Sequence, residues 1–269
     1  MSIVERSNNL KESQDHIQSL EKGLKVIQIF SEQIPTLTTS EASKRTGYSR
    51  PTTRRILLTL ERLGFAESKN GVFSLTAHAL TLGYAYLSSQ NMWNIAQPFM
   101  QEFVKQTGES SSIAVLDGTD IIYVARVPTK RIMTITLNVG SRLPAYATSM
   151  GHILLAHLSQ EEFNKYIEKV KLDKLTDNTL TTKEELIAEL KQVRKRGWAG
   201  VEQQLEEGLR SIAVPIRNAE GTVFAALNCS AHAGRISNEK LKDEYLPLLF
   251  KAADKISKGI ATSLTIEQP

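Results

Sequence analysis

The chain has 269 residues, 41% apolar and 23% charged, a length that suits about two globular domains of ~150 residues. Fifteen Gly, 8 Pro and 33 basic against 29 acidic residues are ordinary proportions and exclude collagen-like, low-complexity and wholly disordered chains. With one cysteine, Cys229, no internal disulfide or thiolate cluster can form, and the first residues lack the apolar stretch of a signal peptide. A soluble cytoplasmic protein without membrane spans is expected.

Residues 1–16 are polar, carry no apolar period and read as a mobile tail. From Gln18, Leu20, Leu24 and Ile27 share a helical face, and Pro35 follows its end. Thr38 and Glu41 have capping-box spacing and Gly47 supplies a stop, so a short helix is expected over residues 39–46. Ser49 can cap a third helix with Pro51 in its first turn, where no intrahelical N–H bond is lost. On that helix Ile56, Leu60 and Leu63 form a stripe, with Arg50 and Arg54 opposite and Arg55 on a flank. Two strands, 65–68 and 72–75, flank Asn70-Gly71, the pair suited to a type I′ hairpin. Helix, helix, turn, helix, hairpin is the order of a winged helix-turn-helix, expected over residues 17–76.

Residues 78–90 read as a helix apolar on several sides, suited to a linker or dimer seam over 77–92. From Trp93 a second domain, 93–269, begins with an amphipathic helix through Ala96, Met100 and Phe103. Strands are expected at 112–116, 121–127 and 132–137, then helices at 149–157, 160–170 and 183–196. Strands at 199–203, 210–217 and 223–231 follow, before a closing helix from Asn238. The pattern implies an α+β fold with an antiparallel sheet flanked by helices rather than a βαβ wheel.

Charge placement favours a nucleic-acid partner. Residues 1–90 hold 11 Lys/Arg against 8 Asp/Glu, and Lys44, Arg45, Arg50, Arg54 and Arg55 fall in twelve residues without an acid. A recognition helix needs short polar and guanidinium groups at its N-terminal end, because that end enters the major groove. Ser49, Arg50, Thr52, Thr53, Arg54 and Arg55 meet that need: Arg50 and Arg54 can reach guanine, Thr53 a base edge, and Arg55 with Lys44 phosphates. The alternative for any one of these residues is a solvated basic face.

The segments SLEKGLKVIQIF, SRPTTRRILLTLERLGF, LPAYATSMGHILLA and EEGLRSIAVPI closely resemble the IclR family of bacterial transcription regulators, and most the branch controlling aromatic-acid catabolism through the β-ketoadipate route. The resemblance implies a winged-helix DNA domain, a linker helix used in dimerisation, and a GAF-like effector domain sensing a small organic acid, in a dimer or tetramer. It places an effector carboxylate on backbone amides near Ser149 and Met150, with polar contacts at Ser211, Asn228 and Ser230 and Glu202 near the rim. A helix N-terminus suits an organic anion on physical grounds as well. Tyr146 and Met150 could pack on the ligand's apolar part, with Ile132, Ile135 and Leu143 completing the wall; for each, plain core is the alternative. Arg126, Arg131 and Arg142 are the cations nearest in sequence, any of which could pair with a second carboxylate. The chain departs from the family pattern at His152, where Lys or Arg is commoner, which leaves the role of that residue open.

Enzyme readings have little support. There is no Walker loop and no G-x-G-x-x-G, His152 and His157 lack the i, i+4 spacing of a shared metal site, and Ser149 lacks a nucleophile-elbow context. No cofactor or metal is expected beyond a small organic-acid effector. The expectation is a regulator binding operator DNA and a carboxylate effector such as protocatechuate, 4-hydroxybenzoate or β-ketoadipate. A constitutive DNA-binding or oligomerisation protein, and a small-molecule enzyme with an accessory winged helix, are the alternatives. Activation or repression, and the operator, are not legible.

Overall fold

The computed structural model describes residues 16–31, 33–89, 92–129 and 137–266. The tail expected over 1–16 lies outside them except for its last residue, as do Ile132, Ile135, Arg131 and most of the strand expected at 132–137. The chain divides into two units, one running to Ser89 and the other starting at Gln90.

In the first unit, α1 (Gln18–Gln28) buries Val26. β1 (Thr36–Thr38) leads into α2 (Thr39–Thr46), whose capping box is complete. The Thr38 amide donates to Glu41 Oε2 at 2.8 Å, and the Glu41 amide donates to Thr38 Oγ1 at 3.3 Å. Gly47 ends α2 at φ 73°, the left-handed position a side chain disfavours. Ser49 caps α3 (Arg50–Arg62) by accepting from the Thr52 amide. β2 (Ala66–Lys69) and β3 (Val72–Leu75) form the hairpin, with Asn70 and Gly71 both at positive φ as a type I′ turn requires. β1 was not anticipated; it pairs with β3, Leu37 opposite Phe73, giving a three-stranded sheet of order β1-β3-β2. Val26, Leu37, Ala42, Leu57, Leu60, Ala66 and Phe73 close the core.

The inward face of α3 differs from the expected stripe. Thr53, Leu57 and Leu60 are buried, whereas Leu63 is 59% exposed. Thr53 can face inward because its hydroxyl donates to the Ser49 carbonyl at 3.1 Å, which satisfies the one polar group that burial would strand. A 3₁₀ turn (Ala77–Ala79) then enters α4 (Leu80–Ser89).

The second unit opens with α5 (Met92–Thr107), which buries Trp93, Ala96, Met100 and Phe103 as expected from their spacing. Its six-stranded antiparallel sheet has the order β6-β5-β4-β9-β8-β7. The strands are β4 (Ser110–Asp117), β5 (Asp120–Val127), β6 (Arg142–Pro144), β7 (Ala199–Glu202), β8 (Leu209–Arg217) and β9 (Val223–His232). The strand β6 on one edge was not anticipated; Leu143 pairs opposite Ile121. Helices α6 (Ser149–Ala156), α7 (Gln160–Lys169) and α8 (Lys183–Arg196) follow β6. α9 (Asn238–Lys240) and a π turn (Leu241–Tyr245) run into α10 (Leu246–Ile266). α6 and α8 pack together on one face of the sheet, α5 and α10 on the other, so both faces of the central strands are buried.

Candidate DNA-binding face and effector cavity

α3 starts at a tight turn and presents Arg50, Arg54 and Arg55 to solvent, with Ser49 and, from α2, Lys44 also exposed. Thr52 is half-buried, and its hydroxyl lies 2.9 Å from that of Ser49. Thr53 is a correction: it is 0% exposed and bonded inward, so it presents nothing to a groove. Sequence reasoning missed Lys22 and Lys25 on α1, whose ammonium groups lie 5.7 and 5.5 Å from the ring of Tyr48 in the turn before α3. Their i, i+3 spacing on the polar side of α1 was the available signal. Two cations of α1 thus lie over the turn that precedes α3.

A small cavity, about 30 Å³, lies in the second unit, room for a water or two. Ser149 and Met150 at the start of α6 line it, with Ser211 on β8 and Asn228 and Ser230 on β9. Thr148 caps α6 by accepting from the Gly151 amide at 3.0 Å. The amides of Ser149 and Met150 are first-turn donors that the helix leaves without an intrahelical partner. Asn228 is held in a fixed orientation: its Oδ1 accepts from the Ser112 amide and its Nδ2 donates to Ser230 Oγ, both at 2.9 Å.

Three anticipated residues do not line this cavity. Glu202 is paired with Arg210 on the adjacent strand, and that guanidinium also holds its carboxyl below the usual carboxylate range. Tyr146 is buried and donates its hydroxyl to the Asp173 carbonyl at 2.9 Å, while Leu143 packs against the same hydrophobic cluster. Each is taken up by a partner elsewhere in the fold: Glu202 by Arg210 across the β7–β8 register, Tyr146 by the Asp173 carbonyl, and Leu143 by the hydrophobic cluster.

Of the three cations considered, Arg142 is committed to Asp117 at 2.6 Å and Asp120 at 3.2 Å. Arg126 lines the cavity with Tyr123. It is half-buried, and burial holds its guanidinium below the usual range with no carboxylate contributing. The remaining wall, Leu137, Ala147, Thr148, Val201, Leu205, Glu206 and Leu209, carried no distinguishing local signal. Among the described residues no group of three or more His, Cys, Asp or Glu could hold a metal, and no helix is long and apolar enough to cross a membrane.

A helix-turn-helix with an exposed basic face, followed by a separate domain that encloses a small cavity lined by polar and apolar groups, has the make-up of a ligand-responsive transcription regulator. Family models agree in both halves: residues 19–69 match the IclR helix-turn-helix domain, and 84–258 match the bacterial transcriptional regulator IclR C-terminal model. The chain belongs to the IclR family. It is 45% identical over 240 residues to the Pca regulon regulatory protein of Pseudomonas putida, covering 89% of this chain and 82% of that one. It is 36% identical over 249 residues to the p-hydroxybenzoate hydroxylase transcriptional activator of Acinetobacter baylyi, covering 91% and 92%. A crystal structure of a double mutant of the PobR inducer-binding domain from Acinetobacter, in complex with 3-hydroxybenzoic acid, superposes with a TM-score of 0.58. It is 35% identical, and the match covers 61% of this chain and 97% of that one.

Proposed function

We propose that the regulator senses a small organic acid, aromatic or six-carbon, in this cavity, and that the acid alters operator binding by a dimer. The observation that carries the reading is the pairing of two anion-attracting groups in one cavity, the first-turn amides of α6 and Arg126, against a single acidic lining residue, Glu206. A carboxylate on Ser149 and Met150 gains charge-assisted bonds and the helix dipole. Ser211, Asn228 and Ser230 are set to bond hydroxyl or keto oxygens, and Met150 and Leu209 to cover the apolar part. The kinship to regulators of hydroxybenzoate hydroxylase and of the Pca regulon, and to a domain complexed with 3-hydroxybenzoic acid, points the same way. At about 30 Å³ the cavity must widen to admit a benzoate-sized ligand, so occupancy favours one arrangement of the wall over another.

On the DNA side, Arg50 and Arg54 read bases, and Arg55 and Lys44 meet phosphates. α4 serves as the seam of a homodimer: Leu80 is 75% exposed and Tyr84 69%, a wide apolar face for a soluble helix. A thermal-shift panel tests the effector reading. Protocatechuate, 4-hydroxybenzoate or β-ketoadipate should stabilise the protein by about 2.7 kcal/mol over the ligand-free state when present at 100 times its dissociation constant, and glyoxylate and pyruvate at the same concentration should do less. Stabilisation by the two small keto acids alone would remove the aromatic-acid assignment, and a blank panel the effector reading.

A further inference from the structure

We infer that Thr176 and Thr179 are positioning residues for the effector cavity: their hydroxyls tether the loop that forms one lip of it, and so set effector affinity without touching the ligand. The inference rests on the effector reading above.

The lip is the stretch 203–209 between β7 and β8, and it contributes Leu205, Glu206 and Leu209 to the cavity wall. Gln203 closes its neck. The Gln203 amide donates to the Leu209 carbonyl at 2.7 Å, and the Gln203 side chain accepts from the Gly208 amide at 2.8 Å. Gln203 stands at φ 51°, a left-handed conformation that a non-glycine residue keeps only where its surroundings hold it.

What holds it lies about 25 residues back in the chain. In the segment between α7 and α8, Thr176 Oγ1 donates to the Gln203 carbonyl at 2.6 Å, and Thr179 Oγ1 donates to the Gln204 carbonyl at 2.7 Å. Neither hydroxyl is a free rotor. Thr179 Oγ1 already accepts from the amides of Thr176 and Leu175, at 2.8 and 3.1 Å; its single proton has the Gln204 carbonyl at 2.7 Å and the Thr176 hydroxyl at 3.2 Å within reach, and the shorter contact is to the lip. Thr176 Oγ1 likewise accepts from the Asn178 amide at 3.1 Å. Both tethers therefore have a direction imposed by local backbone, and Thr179 is buried, 7% exposed, so water does not replace its bond readily.

The experiment compares full-length wild type with Thr176→Val/Thr179→Val, which keeps shape and removes both donors, and with Thr176→Ser/Thr179→Ser, which keeps them. Hydrogen exchange without ligand should be about tenfold faster at amides 204–208 in the Val variant and restored in the Ser variant. Calorimetric titration with protocatechuate and β-ketoadipate should show the better-bound acid held about tenfold more weakly by the Val variant. The Ser variant should match wild type, and DNA affinity without acid should be unchanged in all three. Unaltered lip exchange, or equal acid affinity in wild type and Val variant, overturns the inference alone. Failure of wild type to bind either acid overturns the effector reading, and the inference with it.

Discussion

The imidazole of His152, fully buried in α6, donates from Nε2 to the backbone carbonyl of Tyr146 at 2.6 Å. A carbonyl only accepts, so Nε2 carries the proton in the neutral ring. The bond latches the 3₁₀ turn (Ala145–Ala147) onto the helix whose first turn faces the cavity. Burial holds this imidazole below its ordinary value of 6.5. The folded state therefore keeps it neutral, while the unfolded chain takes up a proton below about 6.5. The stability it contributes is present above that pH and is lost as pH falls through it, by at most about 1.4 kcal/mol per pH unit. Thermal unfolding followed from pH 7.5 to 5.5 should show a falling midpoint in wild type and a flatter profile in His152→Gln. Parallel profiles would mean that another group, such as the half-buried His157, dominates the window.

Replacing Arg54 should weaken operator binding by about 1–3 kcal/mol if its guanidinium reads a base. Replacing Arg55 should instead lower the salt dependence of binding by about one counterion. Thr53→Ala belongs to a different class: it empties a buried, hydrogen-bonded position and should cost about 1–2 kcal/mol of stability. Salt titrations monitored by anisotropy, set beside thermal unfolding, separate the three. Wild-type behaviour of both arginine variants would detach this face from DNA.

Arg126→Gln removes the cation of the cavity. An acid bound through it should lose about 1.5–3 kcal/mol of affinity, with a larger loss for a dicarboxylate than for a monocarboxylate. DNA affinity in the absence of acid should be unchanged. Calorimetry with both ligand types decides the matter, and an unaltered affinity for both would place the guanidinium outside the binding contact.

Gly151 admits no side chain: a Cβ there would lie 2.0 Å from the Ala145 carbonyl oxygen. Gly151→Ala should therefore displace the turn and cost more than about 3 kcal/mol, with loss of effector binding. Gly47→Ala, at φ 73° with open space around it, should cost about 1 kcal/mol through backbone strain alone. Chemical unfolding of the two variants gives the comparison; equal costs would mean that the turn moves freely.

If α4 is a dimer seam, Leu80→Glu with Tyr84→Glu should shift the protein toward monomer in sedimentation and weaken operator binding, while leaving acid affinity in place. An unchanged sedimentation profile would assign the seam elsewhere.

Local signals carried much of the fold. The Thr38–Glu41 box, the Ser49 cap with Pro51, the stop at Gly47 and the Asn70-Gly71 hairpin each act within a few residues of chain, so they are readable wherever they occur. The amphipathic spacing of α5 and the bounds of α2 and α8 followed from the same short-range logic. Among cavity residues, Ser149, Met150, Ser211, Asn228 and Ser230 were anticipated through family resemblance rather than through spacing, since nothing local links positions so far apart.

Tertiary structure alone decided the rest. Asn228 reaches the Ser112 amide across 116 residues of chain, and Glu202 finds Arg210 because β7 and β8 bring them opposite each other. Strand register also settles that Arg142 meets Asp117 and Asp120 while Arg126 is left to the cavity. Thr53 faces inward because it shares with Leu57 and Leu60 the side of α3 that the first unit's core covers. Pairings of this kind depend on which distant groups packing desolvates together, and a desolvated polar group must find a partner wherever the chain has placed one.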